Sequence, residues 1–109
     1  MSETVVIVQY TALAEKAPTA LAAIRALVRA VVSGEPACGG IEILQELDAP
    51  ERITLVERWP SREVFLGPHM QQPHIQDFIR GAGEFLAGPP QISFHAVVES
   101  ATGPQGSRT

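Results

Sequence analysis

Between Val56 and Phe78 the chain reads VERWPSREVFLGPHMQQPHIQDF. This stretch holds the only Trp of the 109-residue sequence, two of its three His and two of its four Phe. Rings that can hold a flat molecule and groups that can move a proton are therefore gathered in one place. His74 lies in the first turn of an expected helix, whose positive end disfavours an imidazolium. A neutral imidazole there suits general acid/base work, or else serves as a core-edge histidine satisfied by a backbone carbonyl. His69 sits at a Gly-Pro break, where it faces either the same cavity or solvent. Glu57 and Trp59 share one face of a strand with Ile53 and Leu55, so an apolar row turns polar and aromatic at its end. That change suggests a core opening into a pocket. The bland alternative is a Trp capping the core edge, with Glu57 paired to an arginine such as Arg58 of a neighbouring chain.

Other chemistries find little support. His69 and His74 are five residues apart across a helix break, unlike the i, i+4 pair of a zinc-binding helix, so no metal site is expected. The chain carries no Gly-rich phosphate loop, dinucleotide fingerprint or CxxC motif. Cys38 is alone at a loop-to-strand junction without an evident base, which argues against a thiol nucleophile and against an intramolecular disulfide. His95 shares a row with Ser93 and Val97 and becomes an interface residue if that row meets a partner.

These side chains need elements to position them. TVVIVQY (Thr4 to Tyr10) is β-branched and apolar in both rows, so a strand buried on both faces is expected. From Lys16 to Val32, Leu21, Ile24, Leu27, Val28 and Val31 form one helical stripe; Pro18 suits its first turn and SGEP from Ser33 stops it. CGGIEILQEL and ITLVERW predict an antiparallel hairpin turned by DAPER. Ser61 is placed to cap a brief helix that Gly67-Pro68 interrupts. A last helix from Pro73 carries Ile75, Phe78, Ile79, Ala82 and Phe85, and QISFHAVV is the final strand. The order is βαββαβ, the split βαβ or ferredoxin-like α+β arrangement: a four-stranded antiparallel sheet with its helices on one face. The uncovered, apolar face predicts a homodimer packed sheet to sheet.

Residues 1–98 are expected to form one domain, and the polar, small-residue stretch 99–109 a mobile tail. A hydrophobic content of 45% with 18% charged residues is that of a globular chain. The net charge of −4 and the lack of a basic cluster speak against nucleic acid. No secretory leader pattern or bilayer-spanning apolar run is evident, so a cytoplasmic location without membrane contact is expected.

The chain resembles the antibiotic biosynthesis monooxygenase (ABM) domain family from Thr4 to Val98. The resemblance is carried by VVIVQYTAL, the Ala/Leu-rich helix, EPACGGIEILQELDAPERITLVERW, the run H…PHI..F from His69 to Phe78, and LAGPP. Glu57 and Trp59 match the family's E-x-W, and His69 and His74 its two histidines. The resemblance implies a dimeric α+β barrel with a pocket in each subunit, and a monooxygenase of quinol-like or polycyclic phenolic small molecules that uses dioxygen and no cofactor. Such a site must bind a flat aromatic, remove a proton and exclude water. His74 is then the first choice as base and His69 the second. Trp59, Phe65 and Phe78 would sandwich the ring, Gln9 would hydrogen-bond a substrate oxygen, and Glu57 would orient a histidine or hold an arginine. Two departures matter. Gly67-Pro68 adds a residue before His69, which leaves its aim open. Gln9 stands where haem-degrading relatives carry an Asn. Haem degradation and non-catalytic binding of an aromatic ligand by a stress-related dimer are the alternatives.

Overall fold

Alternation along the first strand decides which way the molecule is layered. In the computed structural model, which describes residues 3–104, β1 (Thr4–Thr11) turns Val6, Val8 and Tyr10 into the core. Val5 and Ile7 on its other side are half-buried and Gln9 is exposed. The expectation that both rows would be buried thus holds only for the inward one within a single chain. The helix α1 (Ala17–Gly34) follows, then β2 (Gly40–Glu46), β3 (Ala49–Trp59), α2 (Arg62–Leu66), α3 (Pro73–Gly81) and β4 (Gln91–Ala96), with 3-10 turns at His69–Gln71 and Ala82–Glu84.

The strands pair antiparallel in the order β2-β3-β1-β4, which is the expected ferredoxin-like topology. The register sets Val6 opposite Glu57 and Val8 opposite Leu55 on one side, and Phe94 and Ile92 on the other. All of these face the helices, because side chains paired across a sheet share its face. Buried Ala20, Ile24, Leu27 and Val31 form the seam of α1 against this layer, with Leu21 and Val28 packed beside them. By length and apolar composition α1 could cross a bilayer. Its packed seam accounts for that composition as the core helix of the domain.

The structure adjusts several boundaries. The first helix runs through Ser33 and Gly34, since Ser33 Oγ bonds back to the Arg29 carbonyl and the Glu35 N–H still reaches the Val31 carbonyl. The hairpin turn shrinks to Leu47-Asp48, because Ala49 to Arg52 already pair as strand and Gln45 Nε2 donates to the Pro50 carbonyl. The last helix breaks at Gly81, and the following 3-10 turn brings Phe85 back to the core. Residues 99–104 of the expected tail carry no helix or strand, and 105–109 lie outside the described residues.

Candidate active site

The inward row of β3 is buried from Ile53 to Trp59, including its carboxylic acid: Glu57 is 4% exposed and Trp59 1%. Residues i and i+2 of a strand lie on one face, so the indole reaches its neighbour directly. Trp59 Nε1–H donates to Glu57 Oε1 at 2.8 Å. Burial pushes the Glu57 carboxyl up to about 7; the Trp59 hydrogen bond opposes this and the charge of Glu35 adds to it. The ring of Phe65 meets Trp59 edge-on, 5.9 Å between centroids.

The segment after β3 delivers the histidines. Ser61 caps α2 by accepting the Val64 N–H at 3.2 Å, as expected from its position. Gly67 ends that helix, and Pro68 sends the chain into the 3-10 turn that buries His69 to 4% exposure. The imidazole of His69 lies 4.4 Å from the Trp59 ring and 4.8 Å from Phe65. Its Nδ1 faces the Glu35 carboxylate at 2.9 and 3.0 Å. From the far side, His74 Nε2 meets the same carboxylate at 2.5 Å.

An ionised carboxylate only accepts, so His69 carries its proton on Nδ1, and Nε2 of the neutral ring is the basic nitrogen. Burial lowers the pKa of His69, and the neighbouring His74 adds to that. The hydrogen bond and charge of Glu35 pull the other way. A neutral, oriented imidazole backed by a carboxylate is the arrangement of a general base.

Between the sheet and the helices lies a cavity of about 540 Å³. Its wall is mostly apolar: Val8, Leu55 and Ile92 from the strands, Leu27 and Val31 from α1, Ile75 from α3. Tyr10, Glu57 and His69 are its titratable members. Burial and the Glu57 charge raise the Tyr10 phenol, keeping it protonated. Phe65 and Phe78 also line it, and Phe78 meets Tyr10 edge-on at 5.9 Å.

The predicted site residues thus separate into three places. Glu57, Phe65, His69 and Phe78 stand on the cavity wall. Trp59 lies behind it, supporting Glu57 and His69 rather than offering a face to a ligand. His74, 22% exposed, also lies behind the wall with Nε2 turned to Glu35, so the order of the two histidines as candidate bases is reversed. Gln9 is corrected outright: it shares the outward row with Val5 and Ile7 and points away from the cavity. Among the described residues of the chain Glu57 pairs with the Trp59 indole, and Arg58 reaches Glu3. Glu35 was not foreseen, although a carboxylate just past a helix C-terminus stands against the helix dipole and calls for a cationic or donor partner. Two histidines supply it.

The fold is shared widely. PA3566 of Pseudomonas aeruginosa superposes with a TM-score of 0.80 at 22% identity, over 91% of this chain and 97% of its own. Rv0793 of Mycobacterium tuberculosis gives 0.68 at 27% identity, over 93% and 100%. A crystal structure named antibiotic biosynthesis monooxygenase gives 0.76 at 21%, over 88% and 99%. No curated protein matches the sequence. The family model described as antibiotic biosynthesis monooxygenase matches residues 4–81, a span that runs from β1 through both histidines to the end of α3. By that match the chain belongs to the antibiotic biosynthesis monooxygenase family.

Proposed function

We propose that this chain is a cofactor-independent monooxygenase of quinol-like or polycyclic phenolic molecules, working as a cytoplasmic homodimer. One observation carries the reading: a buried neutral imidazole, held by a carboxylate at Nδ1, stands on the wall of an apolar cavity of about 540 Å³. A cavity of that size suits a fused aromatic of two or three rings. His69 Nε2 takes a proton from the bound substrate. The anion passes one electron to dioxygen, the radical pair combines into a peroxide, and one oxygen leaves as water. The substrate supplies all the electrons, so the protein has only to bind, deprotonate and keep water out. Glu57 in its protonated form donates to a substrate oxygen, and Phe65 and Phe78 offer ring edges and faces.

The test is oxygen uptake with a panel of anthrones and quinols under labelled dioxygen. One labelled oxygen atom in the product supports the reading. His69→Ala should lower kcat by about 10²–10⁴-fold with ligand affinity by calorimetry little changed. Saturable binding without oxygen uptake would make the protein a ligand-binding module instead. The haem alternative loses support, since Gln9, in the place of the relatives' Asn, faces away from the cavity.

A further inference from the structure

We infer that His69, Glu35 and His74 form a proton relay between the cavity and solvent, with His74 as its outer port. This rests on the reading of His69 as the base. The three groups are contiguous: Glu35 Oε1 meets His69 Nδ1 at 2.9 Å and Oε2 meets His74 Nε2 at 2.5 Å. Accessibility rises along the same line, from His69 at 4% through Glu35 at 7% to His74 at 22%. Among the described residues the hydrogen-bond partner of the buried His69 ring is Glu35, through Nδ1. A single carboxylate that binds both imidazoles supplies the connection to His74.

Each transfer balances. His69 gains the substrate proton at Nε2 and passes its Nδ1 proton to Glu35. His74, whose Nε2–H donates to the ionised Glu35 at rest, beforehand takes a proton from water at Nδ1 and gives its Nε2 proton to Glu35 Oε2. As Oε1 then receives the His69 proton, Oε2 returns its own to His74 Nε2 and Nδ1 releases one to water. In the second half-turnover protons travel inward: Glu35 returns one to Nδ1 while Nε2–H protonates the oxygen that departs as water, which restores the starting tautomer. Other titratable groups lie nearby: Glu57 from β3 and Cys38 from the loop after α1 are close enough to feel the charge of Glu35, and Tyr10 from β1 that of Glu57. None of them is hydrogen-bonded to the three relay members among the described residues.

The experiment uses the full-length protein and 1,8-dihydroxyanthrone. Wild-type turnover should be independent of buffer concentration. His74→Phe keeps a ring of similar size and should lose about tenfold in kcat at constant KM. Added imidazole should restore that loss in a concentration-dependent way, because it replaces a surface port. Glu35→Gln should fall at least as far without rescue, its place being buried. A His74→Phe enzyme with unchanged kcat, or one that imidazole does not restore, overturns the relay. Nitrogen NMR of the imidazoles gives a readout free of turnover. Coupled titration of His69 and His74 that Glu35→Gln abolishes supports the relay, even if no anthrone or quinol is oxidised and the monooxygenase reading falls. Independent titration of the two rings overturns the relay whatever the activity.

Discussion

Burial acts on Glu57 and His69 in opposite directions, raising the carboxylic acid and lowering the imidazole, so that each is pushed toward its uncharged form against the cavity. Stability should record this. Between the ordinary carboxyl value of 4.5 and about 7, the folded chain keeps a proton on Glu57 that the unfolded chain has released. Stability therefore falls as pH rises through that window. His69 works the other way: below its ordinary 6.5 the unfolded chain binds a proton that the folded ring resists, so its contribution is lost on acidification. Glu57→Gln keeps an acceptor for Trp59 and should remove the alkaline loss, worth up to about 3 kcal/mol by denaturant titration between mildly acidic and mildly alkaline buffers. Trp59→Phe removes the one donor that lowers Glu57, so the carboxyl should titrate above about 7 by NMR. At this scale the sequence was informative where residue type met a strand or helix period, as with Glu57, Phe65 and Phe78. It misled at Gln9, because both rows of β1 are apolar and only the partner elements reveal which row turns inward. Glu35 was hidden by distance, being joined to His69 and His74 across 34 and 39 positions.

The element that aims the site is the interrupted run from α2 to α3. Gly67 gives its N–H to the Glu63 carbonyl at 2.8 Å, and a Cβ at position 67 would come within 3.0 Å of that same oxygen. Gly67→Ala should therefore displace the break that presents His69, lowering stability by about 1 kcal/mol and weakening ligand binding by calorimetry. Ser61→Ala, which loses only the cap of α2, should also cost about 1 kcal/mol in thermal unfolding, but leave affinity nearly intact. Both breaks were readable, since Ser after Pro and Gly before Pro are local signals. The start of β2 was less so. The CGG stretch is too short for a motif, yet Gly39 packs against Arg58 and Gly40 takes a φ of 134°, where a side chain is strained. The hairpin turn was drawn too long because strand pairing extends into a Pro-containing segment at the sheet's end, where a missing N–H is tolerated.

For the whole molecule, the order of strands and helices was enough to reach the ferredoxin-like topology, since short connections leave few ways to pair four such strands. The cavity was not legible in the same way. Its volume is a difference between what the layers enclose and what their side chains fill, and no periodicity reports a difference. The outward face of the sheet carries Ile7 and Val56 half-buried and Leu44 exposed, an apolar surface without a covering element in the described chain. If two chains meet there, Ile7→Glu should convert a species of twice the chain mass into a monomer in analytical ultracentrifugation, since a charge would then be buried unpaired.

The single indole lies 4.4 Å from the ring of His69. A charged imidazole quenches the emission of a neighbouring tryptophan, whereas a neutral one does so weakly. The protein therefore contains its own optical gauge: its intrinsic fluorescence should dim as His69 takes up a proton and brighten again on release, without a label and from one emitter.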